Sequence, residues 1–246
     1  MVFPDPEHFE KLKSSITGNA NDSGGKYARK FADELPGVYA LHLPDDRLSR
    51  DCVFKLARQD VRDVNTATVC AAILAWGGMH TNHRDLLFHC EDRKWLEVAC
   101  SLRNGKLDRK EAYARFKELR RHGKMKGMGP AFFTKLIYFL MPQESTALKP
   151  GYIMDQWAGC SINLLAGQEI VLMDVHEDRE KKGPGLNLKF TVSNENCGTN
   201  YVNFCEKMAY VANLLSMDVG EVDRALVSKA GKPWREHVKN CRRVPW

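Results

Sequence analysis

Apolar and polar positions repeat with a helical period along most of the 246 residues, and the pattern predicts a mainly α protein. Residues 47–60 (RLSRDCVFKLARQD) set Cys52, Val53, Leu56 and Ala57 on one face. Asn65-Thr66 caps a very apolar helix, ATVCAAILAW, which runs to Trp76 and breaks at Gly77-Gly78. HTNHRDLLFHC and DRKWLEVACSL read as two more helices, and Asn104-Gly105 as a turn. Asp108 opens a strongly amphipathic helix that runs to about His122, with Gly123 as its stop. An apolar-striped helix starts at Pro130, and another continues from Trp157 to about Leu165. Residues 168–200 change character. VLMDVH and LNLKFTV alternate like short strands on either side of EDREKKGPG, which predicts an inserted hairpin or long loop. Asn200–Ser216 is helical, with Phe204, Met208, Val211 and Leu215 on a face; Asp218–Lys229 is the last predicted helix, followed by a basic tail that carries Trp234. Residues 1–45 are mixed, with turn signals at 18–25 (GNANDSGG) and at Leu43-Pro44-Asp45-Asp46.

Composition narrows the class. A hydrophobic share of 43% and a mean hydropathy of −0.43 fit a soluble globular chain, long enough for one large domain or two small, closely packed ones. No apolar run reaches the ~18–20 residues that a bilayer span needs. The start, MVFPDPEHFEKLK, has Pro and acids where a signal peptide has a basic region and an apolar core. The eight cysteines (52, 70, 90, 100, 160, 197, 205 and 241) form no C-x-x-C pair. That spacing points away from a zinc or redox motif and towards mostly buried free thiols in a reducing cytoplasm, with neither metal nor cofactor expected. His80 and His83 have a ligand-like His-x-x-His spacing, but no third ligand stands near them in sequence, and a surface loop or DNA contact is the expected role.

The net charge is +6, and its distribution says more than its size. Arg115 to Lys135 holds seven Lys/Arg against one acid, Glu118; Lys229 to Arg243 holds six against Glu236. Two basic patches on a near-neutral body fit a polyanion as partner, although solvated helix faces fit the charge equally well.

The most informative stretch is residues 124–157, KMKGMGPAFFTKLIYFLMPQESTALKPGYIMDQW. Lys126-Gly127-Met128-Gly129-Pro130 between two helices reads as a helix–hairpin–helix. Two glycines permit a tight turn and close approach of a phosphate, and Pro130 suits the first helical turn, where a missing N–H costs nothing. The free N–H groups and the helix dipole favour an anion there, with Lys124, Lys126 and Lys135 adding charge. Such a grip holds backbone without reading sequence. An ordinary αα-hairpin with glycine caps is the competing reading. A dinucleotide-binding loop fails twice: Phe132 stands where a third glycine belongs, and a helix precedes the turn.

Segment 124–158 resembles the helix–hairpin–helix DNA glycosylases, whose hairpin is followed by an aspartate at the mouth of the base pocket. The matching parts are Gly127-Met128-Gly129 and Asp155. The hairpin-to-aspartate spacing is a few residues longer than is usual in that superfamily, with the excess assigned to the Pro142–Gly151 loop. KGMGPAFFTKLIYFL and YIMDQWAG look most like the bacterial 8-oxoguanine-glycosylase-like subfamily, some of whose members are associated with anti-phage defence and act on glucosylated hydroxymethylcytosine. LAWGGMHTNHRDL resembles the family's pocket-forming helix and the loop that enters the DNA gap. Bifunctional members carry a Schiff-base lysine two residues after the second glycine. Here that residue is Ala131, which cannot form an imine, so strand cleavage by that route is not expected. The four clustered C-terminal cysteines of iron–sulfur members are absent. Lys135, one turn beyond Ala131, is open to three readings: a displaced amine, a phosphate contact or a solvated lysine.

The resemblance implies two packed helical lobes, a single glycosylase unit over 1–246: a lobe with the pocket-forming helix (1–105), the hairpin and aspartate segment (106–165), and the insertion with C-terminal helices and basic tail (166–246). It implies a monomer acting on double-stranded DNA that carries a modified base, with no membrane role. Asp155 is the catalytic candidate, although an aspartate there is equally a helix N-cap. Lys124, Lys126, Gly127, Gly129, Lys135 and Asn82 are the DNA-binding candidates; Asn82, in the Thr81–Arg84 loop, would fill the gap left by a flipped base. Trp76, Gln156 and Trp157 are candidates for the base pocket. Trp234 suits core packing better than base stacking. A non-catalytic hairpin DNA-binding protein and an all-α scaffold with no nucleic-acid role are the rival readings.

Overall fold

The computed structural model describes residues 3–16, 24–142, 148–177, 188–227 and 232–241. Expectations for the turn at 18–25, the extra loop length after Pro142, the EDREKKGPG connection and the charges at Lys229, Arg242 and Arg243 fall wholly or partly outside those residues. The chain divides into two units, Asp22–Ile153 and a second made of Met1–Asn21 with Met154–Trp246. Both are built mainly of helices, in agreement with the hydrophobic pattern.

The Asp22–Ile153 unit is organised around α4 (Thr66–Trp76). Asn65 caps it, its side chain accepting from the Thr68 amide at 2.8 Å, and every residue from Thr68 to Ala75 is buried. A helix apolar on all sides must be surrounded. α2 (Ala28–Ala32), α3 (Arg50–Arg58), α6 (Lys94–Arg103) and α8 (Pro130–Leu140) pack around it. α5 (Thr81–Phe88) leads into α6, where Trp95 is fully buried against Phe88. α7 (Arg109–Arg121) starts with a capping box: Asp108 accepts from the Glu111 amide at 2.8 Å, and Glu111 accepts from the Asp108 amide at 3.2 Å. Its buried Tyr113 and Phe116 meet Phe133 of α8 with ring centroids 4.9 and 5.6 Å apart. Each such ring contributes about 1.5–3 kcal/mol by burial.

In the other unit, α9 (Gln156–Ala166) is central and buried from Ala158 to Ala166. α1 (Pro6–Ser15), α10 (Gly198–Leu215), α11 (Val219–Val227) and α12 (Lys232–Cys241) pack on it, as does an antiparallel hairpin of β1 (Met173–Glu177) and β2 (Leu188–Val192), in which Val175 pairs with Phe190. The predicted strands are therefore present. Two buried asparagines clip the hairpin's base. Asn163 of α9 accepts from the Ile170 and Val171 amides and donates to the Val171 carbonyl. Asn196 accepts from the Leu172 amide and donates to the Leu172 and Ser193 carbonyls.

Four expectations are corrected. Cys52 is exposed rather than on the buried face of α3, where Val53 and Ala57 make the contact. Three of the eight cysteines are buried (70, 160 and 205), so the thiols are not mostly interior. The basic tail is in part a helix, α12, held by a fully buried Trp234 whose indole donates to Ser161 Oγ at 2.8 Å. The Thr81–Arg84 loop is the first turn of α5. No helix among the described residues is long and apolar enough to cross a membrane.

Candidate active site

α7 ends at Arg121, so Lys124 and Lys126 lie in the turn that follows rather than on the helix. Met125 and Met128 plug that turn into the core, both at 0% exposure, which turns Lys124 and Lys126 outward. Gly127 has φ +80°. Its bare Cα faces the first turn of α5, where a Cβ would meet His83 O at 2.7 Å and His83 Cα at 2.9 Å. The close approach required of this glycine is therefore to protein. The same contact sets the hairpin against the helical turn that carries the exposed Asn82.

Gly129 is the N-cap of α8 and supplies no side-chain cap; Pro130 has no N–H and the Phe132 and Phe133 amides donate to the Gly129 carbonyl at 2.9 and 3.1 Å, so of the first turn the Ala131 amide has no acceptor among the described residues. A Cβ at Gly129 would come no nearer than 4.0 Å to the Arg120 guanidinium. Arg120 donates to the Met128 carbonyl at 3.1 Å and closes the hairpin from below.

The positive field here is smaller than the sequence count suggests. Lys124 is tied to Asp92 at 2.7 Å, which holds the Asp92 carboxyl below its usual range and raises the Lys124 ammonium. Arg121 pairs with Glu118. Lys135 is buried, its Nζ donating to the Ala131 carbonyl at 2.6 Å and its stem lying against Gly77. That overturns the solvated reading of Lys135. Arg115 and Lys126 are exposed and make no ion pair among the described residues. Asp92, 32 positions before its partner, carries no sequence signal of the pairing.

Trp76, in this same unit, is half-buried at the end of α4 with its ring edge-on to Phe139 at 5.0 Å and the Arg50 guanidinium 5.2 Å from its centroid. Its indole N–H is buried with no partner among the described residues. An apolar ring with an unsatisfied donor is what a polar-edged ligand would use.

Asp155, Gln156 and Trp157 belong to the other unit and form the start of α9. Asp155 Oδ1 accepts from the Trp157 and Ala158 amides at 2.8 and 3.0 Å. Both bonds fall on one oxygen; Oδ2 accepts no hydrogen bond among the described residues. The carboxylate is thus fixed by the cap while one oxygen stays available, and the helix N-terminus favours its negative charge. The capping and catalytic readings of Asp155 are compatible. In the amide orientation that satisfies both ends, Gln156 donates to the Phe190 carbonyl at 2.7 Å and accepts from Trp157 Nε1 at 3.0 Å. The half-buried Trp157 ring carries two cations absent from the sequence reading, Arg235 at 5.3 Å and Lys239 at 5.7 Å from its centroid. Their i, i+4 spacing on α12 was the available signal. His80 and His83 stand 6.2 Å apart by ring centroid and belong to no metal-sized cluster among the described residues.

Residues 23–227 match a family model described as "Putative 8-oxoguanine DNA glycosylase OGG-like protein". No curated protein and no solved structure matches the chain.

Proposed function

Because the chain belongs to this OGG-like 8-oxoguanine DNA glycosylase family, matched over more than half its length, we propose that it is a monofunctional glycosylase that releases a modified base from double-stranded DNA and leaves an abasic site. The observation that carries the reading is Asp155: a capped, fixed carboxylate with one oxygen unoccupied by protein donors among the described residues. The target nucleotide leaves the stack at a cost of roughly a few kcal/mol. As the N-glycosidic bond breaks, the sugar gains oxocarbenium character; Asp155 stabilises that charge and orients water towards C1′. Gly127, Gly129, the Ala131 amide, Lys124 and Lys126 hold the backbone. Asn82 enters the duplex gap, and Trp76, Gln156 and Trp157 contact the base. Lys135 supports the hairpin from within and adds positive charge beneath it. Ala131 supplies no amine, so the expected product is an unbroken strand.

For the base, we propose glucosylated hydroxymethylcytosine in phage DNA, on the resemblance of 124–158 to the defence-associated subfamily. 8-Oxoguanine is the competing substrate, favoured by the family's own description. Mass spectrometry of bases released from glucosylated phage DNA and from 8-oxoguanine duplexes tests both. Release of the glucosylated base alone supports the proposal, release of 8-oxoguanine alone replaces the substrate, and binding of either DNA without release leaves a non-catalytic hairpin protein.

A further inference from the structure

Outside the DNA-related residues, one cluster of ligand-type side chains converges among the described residues. His8 lies on α1, and His237 and Cys241 lie four residues apart on one face of α12. His8 Nδ1 and His237 Nε2 are 3.2 Å apart, and Cys241 Sγ is 3.7 Å from the same His237 nitrogen. All three ligand atoms lie within 4.8 Å of one another, and the side chains are neither buried nor fully exposed. We propose that His8 Nδ1, His237 Nε2 and Cys241 Sγ form a zinc(II) site that joins the first helix of the chain to the last described one.

The distances carry the argument. With Zn–N near 2.0–2.1 Å, Zn–S near 2.3 Å and tetrahedral angles, two ring nitrogens stand about 3.3 Å apart and a nitrogen and a thiolate about 3.6 Å apart. The observed 3.2 and 3.7 Å match that spacing for the two pairs that share His237 Nε2, and the third pair, His8 Nδ1 and Cys241 Sγ, lies within 4.8 Å, so a small side-chain adjustment closes the triad. The i, i+4 placement on α12 brings Cys241 Sγ to the His237 ring, and it is His8, from α1, that completes three ligand-type atoms around one point. On binding, Cys241 releases its thiol proton to solvent and coordinates as thiolate, while both imidazoles coordinate neutral. Cys241 closes α12, and the C-terminal end of a helix favours a cation. The negative charge of Glu7, which both His237 and Cys241 feel, favours a cation here, the Lys11 charge on His237 opposes it, and the fourth position would fall to water. α1 and α12 both pack on α9, so the ion would brace two neighbours of the helix that Asp155 caps.

Cobalt(II) titration of the reduced, tag-free full chain provides the test. A thiolate-to-cobalt band in the near ultraviolet, saturating at one ion per chain and abolished by zinc, is expected. In Cys241→Ser the band should vanish, and in His8→Ala and His237→Ala the affinity should fall at least ~10-fold, with folding checked by circular dichroism. Zinc at a hundredfold excess over its Kd should raise Tm on the order of 5 °C. A measurement independent of any variant is the alkylation rate of each cysteine in the wild-type chain. Zinc should slow Cys241 at least ~10-fold and leave the exposed Cys52 and Cys197 unchanged. Alkylation of Cys241 at one rate with and without zinc, or an undiminished cobalt band in folded Cys241→Ser, would overturn the site.

Discussion

A Cβ placed on Gly127 would stand 2.7 Å from the carbonyl oxygen of His83, so the hairpin turn and the first turn of α5 touch backbone to backbone. Gly129, two residues on, has no such neighbour. The two glycines of one motif therefore serve different ends. Gly127→Ala should cost at least ~1–2 kcal/mol from its left-handed backbone alone, with the clash on top. Gly129→Ala should cost up to ~1 kcal/mol, because Ala is a poorer N-cap than Gly, less than Gly127→Ala, and yet bind DNA more weakly, because its methyl would stand beside the Ala131 amide. Thermal unfolding and DNA affinity measured side by side check the pair; equal effects of the two substitutions on both quantities would remove the distinction.

Asp155 invites separation of capping from chemistry. Asn is as good an N-cap as Asp, so Asp155→Asn should leave stability within ~0.5 kcal/mol while base release falls at least ~100-fold and DNA binding persists. Asp155→Ala should lose the cap as well, about 1 kcal/mol. Single-turnover release assays beside denaturant titrations give both numbers. Full activity in Asp155→Asn would assign the carboxylate to the cap alone.

Lys124 and Asp92 set how strongly the hairpin attracts phosphate. Asp92→Asn frees Lys124 and should steepen the slope of log affinity against log salt by up to ~0.9, whereas Lys126→Ala should flatten it by about the same. The pH window follows from the signs. The lowered Asp92 carboxyl gives a stabilisation present above about pH 4, lost as pH falls through its folded value; the raised Lys124 ammonium gives one present below about pH 10, lost as pH rises. The gain in affinity of Asp92→Asn should therefore be flat between about pH 5 and 9, and a strong trend inside that window would implicate other groups.

Lys135 brings an amine close to Ala131, and its ammonium donates to the Ala131 carbonyl. Product strands should stay intact until heated or treated with alkali, and borohydride should trap no covalent adduct. A trapped adduct that disappears in Lys135→Met would make the enzyme bifunctional through a displaced lysine.

Much of this was legible in local sequence because local physics decides it. Asn65 and Asp108 announce the starts of α4 and α7, Pro130 the start of α8, and the alternation in VLMDVH and LNLKFTV the two strands. What escaped depends on partners distant in sequence. Asp92 discharges Lys124 from 32 positions away, and His8 meets His237 across 229. The tail concealed a helix because its lysines and arginines are interleaved with few large apolar residues, although Trp234 and Val238, four apart, are the two that α12 buries.

The asparagines that clip the hairpin have a consequence for how the chain can vary. Asn163 and Asn196 fasten the polypeptide just before β1, at 170–172, and just after β2, at 193–196. Two side-chain amides bonded to main chain thus close the base of the β1–β2 hairpin. Insertions, deletions or a transplanted loop between the strands should be tolerated without disturbing α9, so a reporter peptide grafted there should leave the thermal unfolding of the chain unchanged.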